Sequence, residues 1–131
     1  MSEKHEENLQ IAVCQYLKMQ YPKVLFTSDA SGVRLTMGQA VKMKRMRSCP
    51  GWPDLFIAEP RGEYHGLFIE LKPNGKKIIK RDGTPATPHI DEQIKMIECL
   101  IAKGYLAAMC VGFDDTKTAI DTYLTIKNDS K

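Results

Sequence analysis

The sequence predicts an α/β protein with a mixed central sheet flanked by helices. Three observations carry this. Helical and strand-length patterns alternate along a chain of 131 residues, a length that suits one domain around one core (1–131). Two apolar runs, 54–58 and 66–72, flank a polar turn with Pro60, Arg61 and Gly62, which is a hairpin pattern. A third run, 105–111, is apolar without a break, as in a strand covered on both faces.

Composition narrows the class. Hydrophobic residues make up 43% and charged residues 27%, an ordinary soluble balance. No apolar run nears the roughly 20 residues that span a bilayer. The start is polar and acidic and lacks the pattern of a secretory signal, so a cytoplasmic protein is expected. The four cysteines show no Cys-x-x-Cys spacing, and neither a zinc cage nor a disulfide framework follows. Cys14, Cys99 and Cys110 sit in apolar segments and read as buried thiols, whereas Cys49 precedes a Pro-Gly turn and reads as exposed. His5, His65 and His89 lack ligand spacing and read as structural or surface residues.

A first helix is expected over 6–20. Leu9, Ala12, Val13, Tyr16 and Leu17 recur at helical spacing, and Tyr21-Pro22 ends it. Glu6 falls at the edge of that inward stripe, while Glu7 points round toward Ile11 and Cys14. A short strand over 24–27 and a polar loop over 28–32 come next. A second helix is expected over 35–47. Between 30 and 53 lie Arg34, Lys42, Lys44, Arg45 and Arg47 and no acid. Such a patch suits a polyanion, and a solvated helix face is the plainer reading.

Residues 73–87 contain two turn dipeptides, Asn74-Gly75 and Asp82-Gly83, with a small basic hairpin arm between them. The arm is a clamp on substrate or a mobile surface loop. Thr87-Pro88 opens a third helix as N-cap and first residue. It runs to Lys103, and Gly104 caps it. Ile90, Ile94, Ile97 and Ile101 form its expected buried stripe. Gln93 lies on the same side, and a polar amide among isoleucines needs a partner. Asp114 and Asp115 cap a last helix to about 124, and the tail from about 126 is polar.

The hairpin carries the chemistry. Glu70 and Lys72 point to one face of their strand, and Leu67, Ile69 and Leu71 to the other. Asp54 opens the facing strand. Ionisable groups at the ends of buried strands are costly unless compensated. Two converging carboxylates repel, and a divalent cation removes the repulsion. A surface hairpin with a Glu–Lys ion pair is the bland alternative.

Pro53-Asp54 followed by Glu70-Leu71-Lys72 resembles the PD-(D/E)XK nuclease signature. The wider Pro50-Gly51-Trp52-Pro53-Asp54-Leu55 looks like the virus-type replication-repair nuclease (VRR-NUC) family, and the resemblance runs from the first helix to about residue 111. It implies a restriction-endonuclease-like fold and a phosphodiester hydrolase acting on DNA. It implies catalytic roles for Asp54, Glu70, Lys72 and Gln93. It implies magnesium or manganese held by Asp54, Glu70, the Leu71 carbonyl and an acid of the first helix, for which Glu6 matches best. Oxygen-only ligands favour these ions over zinc. Glu6 would otherwise only complement the helix N-terminus.

Carboxylates nearby favour a charged ammonium, so Lys72 suits positioning and charge stabilisation better than free general-base work. Ser31 and Gly32 would touch a phosphate in the family's small polar loop, or form an ordinary turn. With Arg34, Lys42, Lys44, Arg45, Arg47, Lys76 and Lys77 they make up the expected DNA contacts. Members of this size resemble bacterial and phage homodimers acting on branched DNA, so Holliday junction resolution is expected. Flap or strand-end cleavage, or a DNA-binding module without catalysis, are the alternatives. No membrane contact and no small-molecule cofactor are expected.

Overall fold

The computed structural model describes residues 2–29 and 33–128. Ser31 and Gly32, expected near substrate, lie outside the described residues. The element order is α1 (Ser2–Gln20), β1 (Phe26–Ser28), α2 (Met37–Arg45), β2 (Leu55–Ile57), β3 (Leu67–Lys72), α3 (Pro88–Ala102), β4 (Leu106–Val111) and α4 (Gly112–Leu124). The strands form one sheet in the order β1-β2-β3-β4. β1 pairs antiparallel with β2, and β2 with β3, so the expected hairpin forms. β4 returns parallel to β3 after the α3 crossover, with Glu70 opposite Met109 and Lys72 opposite Val111. The sheet is therefore mixed, as the alternating pattern predicts.

Strand periodicity divides the core into two layers. Leu67, Ile69 and Leu71 pack with Leu55, Ile57 and Cys110 against Val13 and Leu17 of α1 and Ile120, Tyr123 and Leu124 of α4. Phe68 faces the other way, toward Met96 and Leu100 of α3, with Ala107 and Trp52. Glu70 and Lys72 share the Phe68 parity, so they point to the α3 side. Asp121 ties α1 to α4: it accepts from the hydroxyls of Tyr16 at 2.5 Å and Tyr21 at 2.6 Å, and Lys117 Nζ lies 3.0 Å away.

Two expectations need correction. The buried positions of α3 are Ile90, Gln93, Met96 and Leu100, whereas Ile101 is exposed and Ile94 and Ile97 are half-buried. The helix is rotated so that Gln93 faces the sheet, which turns the C-terminal isoleucine outward. Cys99, nine residues after Ile90 and so on the opposite side of the helix from it, is exposed. β4 is the edge strand of the sheet, yet both its faces are covered as its unbroken apolar run predicts: Ala107 packs toward α3, and Cys110 toward α1 and α4.

Two surface elements flank the acidic end of the hairpin in sequence. α2 begins on a capping box between Thr36 and Gln39 and buries none of its residues. An arm forms, but over 78–86 rather than between the two turn dipeptides: Ala86 N–H donates to Ile78 O and Lys80 N–H to Thr84 O around the Asp82-Gly83 turn. Its base is held by Asn74, whose Oδ1 sits where a Cβ on Gly112 would be.

Candidate active site

Asp54 reaches the site from the turn before β2. Gly51 permits that turn, with φ at 94° and only 2.7 Å between an ideal Cβ and the Glu92 carbonyl oxygen of α3. The Asp54 carbonyl accepts from Asp29 N–H and from Ser28 Oγ, both at 2.9 Å. Its side-chain Oδ2 accepts the Leu71 backbone N–H at 2.7 Å. Asp54 is thus fixed against the strand that carries Glu70 and Lys72.

Around it the polar residues converge. Gln93 Nε2 donates to Glu70 Oε2 at 2.9 Å, and Lys72 Nζ lies 3.5 Å from the same oxygen. Exposure is 7% for Asp54, 4% for Glu70, 8% for Lys72 and 5% for Gln93, so water solvates none of them fully. Burial pushes the Glu70 carboxyl well above the usual carboxylate range, and the Asp54 charge and a hydrogen bond with Asp54 act the same way. Lys72 opposes them without restoring the ordinary value. Two buried acids thus hold one negative charge easily and two only at a cost.

A cavity of about 210 Å³ opens over this cluster. Glu6 and Gln10 of α1, Arg47, Trp52, Lys76 and His89 wall it. Glu6 therefore faces the acids, whereas Glu7 lines a different pocket with Ile11 and Cys14. Of the basic patch, Arg47 reaches the cavity and pairs with Asp29 at 2.8 Å. Lys44 lines an adjoining pocket with Arg47. Arg34, Lys42, Arg45 and Lys77 are exposed outside the cavity.

Two wall residues carry more than their sequence context suggests. Gln10 is buried, and its Nε2 donates to Ser28 Oγ and Asp29 O, both at 2.5 Å. It lies three residues before Val13, so its signal is the one that marks Gln93, a polar amide inside an apolar stripe. His89, expected to be structural or on the surface, has Nε2 3.3 Å from Gln93 Nε2 and lines the cavity mouth.

The donor set fits a hard divalent cation. Glu70 Oε1 and Gln93 Oε1 are buried without a hydrogen-bond partner among the described residues. An unpartnered carboxylate oxygen beside a second acid is costly in a low-dielectric site, and a cation offsets both terms. No third Asp, Glu, His or Cys joins these acids in a ligand cluster among the described residues. Two carboxylates with water filling the remaining positions is the arrangement magnesium accepts.

A helix-flanked mixed sheet that brings Asp54, Glu70 and Lys72 to one cavity has the architecture of an α/β nuclease. A solved structure described as "VRR_NUC domain protein" matches it with a TM-score of 0.71 and 31% sequence identity, over 95% of this chain and 93% of that one. The chain belongs to the VRR-NUC family and is a nuclease-family domain. No protein-family model and no curated protein matches it. Among the described residues no helix is long and apolar enough to cross a membrane.

Proposed function

We propose that the protein is a magnesium- or manganese-dependent endonuclease that hydrolyses phosphodiester bonds in branched DNA, works as a homodimer, and resolves four-way junctions. The observation that carries it is the convergence of Asp54, Glu70, Lys72 and Gln93 at the floor of one cavity. Asp54 and Glu70, with the Leu71 carbonyl and with Glu6 through water, would hold the cation. When bound, the ion neutralises phosphate charge and makes a water more acidic.

The chain's own groups supply the rest. Lys72, buried and paired with Glu70, orients the attacking water and offsets charge that develops on the phosphorane. Gln93 holds the Glu70 carboxylate in one orientation. Arg47 and Lys76 line the cavity wall, which supports a role for them on the phosphates on either side of the cut. A two-fold dimer presents two such cavities, which matches the two symmetric strands cut at a junction.

The test is nicking of an end-labelled four-way junction beside a flap and a linear duplex, with magnesium and without it. Cutting of the junction by wild type but not by Asp54→Ala is expected. Equal cutting by both proteins would remove the assignment. Binding by both with cutting by neither would leave a DNA-binding module.

A further inference from the structure

We propose that a second pocket, lined by Met43, Met46, Trp52 and Pro53, seats an unpaired nucleobase beside the phosphate positioned over Asp54 and Glu70. The proposal rests on the nuclease reading above and names the feature of DNA that this site selects. The pocket has a volume of about 440 Å³, which suits a flat heterocycle. Trp52 and Arg47 line both this pocket and the carboxylate cavity, so the two openings share a wall.

The lining has the chemistry of a base-stacking surface. Trp52 packs edge-on against Phe68, with centroids 6.0 Å apart, which anchors the indole. Its Nε1–H is buried and finds no acceptor among the described residues. Met43 and Met46 come from α2 and the turn after it, and Met46 is 73% exposed. Thioethers and indole make favourable contacts with π-faces of any base.

Charge decides between occupants. The helix and turn that bear Met43 and Met46 also carry Lys42, Lys44, Arg45 and Arg47 and no acid, and Asp29, the acid at the pocket wall, is paired with Arg47 at 2.8 Å. A second copy docking here about a two-fold axis would set like charges against each other. A nucleotide brings an apolar π-face for the pocket and an anionic backbone for its rim. Bases inside a continuous duplex are paired and stacked and do not reach such a pocket. A base at a strand end does, and so does one at a branch point whose pair opens on binding.

Trp52 is the only tryptophan in the chain, so tryptophan emission reports on the wall that this pocket shares with the carboxylate cavity. The full-length protein, without divalent cation, is titrated with a single-stranded oligonucleotide, a four-way junction and a blunt duplex, while labelled-DNA anisotropy records binding. The single strand and the junction are expected to quench the emission in a saturable way, and the duplex to bind with little quench. Met43→Ala with Met46→Ala, at positions that are not buried, is expected to weaken single-strand binding roughly tenfold. Duplex affinity should stay unchanged.

Equal quenching by single strand and duplex, or binding by anisotropy with no change in emission, would overturn the proposal. Magnesium-dependent junction cutting alongside an unresponsive Trp52 removes this inference alone. Failure to bind any DNA removes the nuclease reading with it.

Discussion

The side-chain amide of Gln93 donates to Glu70 Oε2 at 2.9 Å, and that bond joins α3 to the acidic end of β3. It gives a reason for the rotation of α3. A helix that turned all its isoleucines inward would leave Gln93 at the edge of the inward face, short of the buried acid it reaches. Gln93→Ala is expected to lower activity or metal affinity by about 10–100-fold through a mobile Glu70. Single-turnover cleavage across a magnesium titration checks this. An unchanged rate and magnesium midpoint would mean that the bond is ornamental.

Glu70 also makes stability depend on pH. Its carboxyl is raised above the ordinary value of 4.5 in the folded protein, chiefly by burial and then by Asp54. Between those two values the folded state binds more protons than the unfolded one, so stability falls as pH rises. The metal-free protein should therefore melt higher near pH 4.5 than at neutral pH as far as this group decides. Glu70→Gln should gain roughly 1–3 kcal/mol over wild type at neutral pH without metal. It should also lose the rise in Tm that magnesium produces in wild type. Thermal melts at several pH values, with magnesium and with chelator, measure both.

Gly51 sets where Asp54 arrives. Its positive φ and the 2.7 Å approach of an ideal Cβ to the Glu92 carbonyl leave no room for a side chain. Gly51→Ala is expected to cost about 1–3 kcal/mol and to cut activity more than that loss of folded protein explains. Denaturant midpoints and kcat measured on the folded fraction separate the two effects. Wild-type kcat in the variant would show that Asp54 is positioned from elsewhere.

Away from the site, Asp121 holds α1 to α4. Burial pushes its carboxyl up, but Tyr16, Tyr21 and Lys117 together outweigh that, and the net shift is downward from 3.8. The stabilisation is present above that value and is lost as pH falls through the lowered one. Asp121→Asn should cost about 1–2 kcal/mol at neutral pH, with a smaller difference in acid. Chemical denaturation of both proteins across that pH range tests the sign.

The layout of the candidate site was largely legible because it is local in sequence. Asp54 immediately precedes one strand of a hairpin and Glu70 and Lys72 sit on the other, where strand parity alone places them on one face. The order of elements followed from periodicity for the same reason. The rotation of α3 did not, because Ile90 belongs equally to the isoleucine stripe and to the one through Gln93 and Leu100. Only the partner across the sheet distinguishes them. His89 escaped notice because its role depends on Gln93, one turn further along α3, whereas the amide of Gln10 within the α1 stripe carries the same signal as that of Gln93. The edge position of β4 is a property of strand order, which a run of apolar residues does not encode.

Asp54 and Glu70 are expected above all to hold a divalent cation together, beside Lys72. Anomalous diffraction from crystals soaked in manganese tests this directly. One strong peak within bonding distance of both carboxylates is expected, and it should vanish in Asp54→Asn. A peak bound to other residues, or none at saturating manganese, would contradict it.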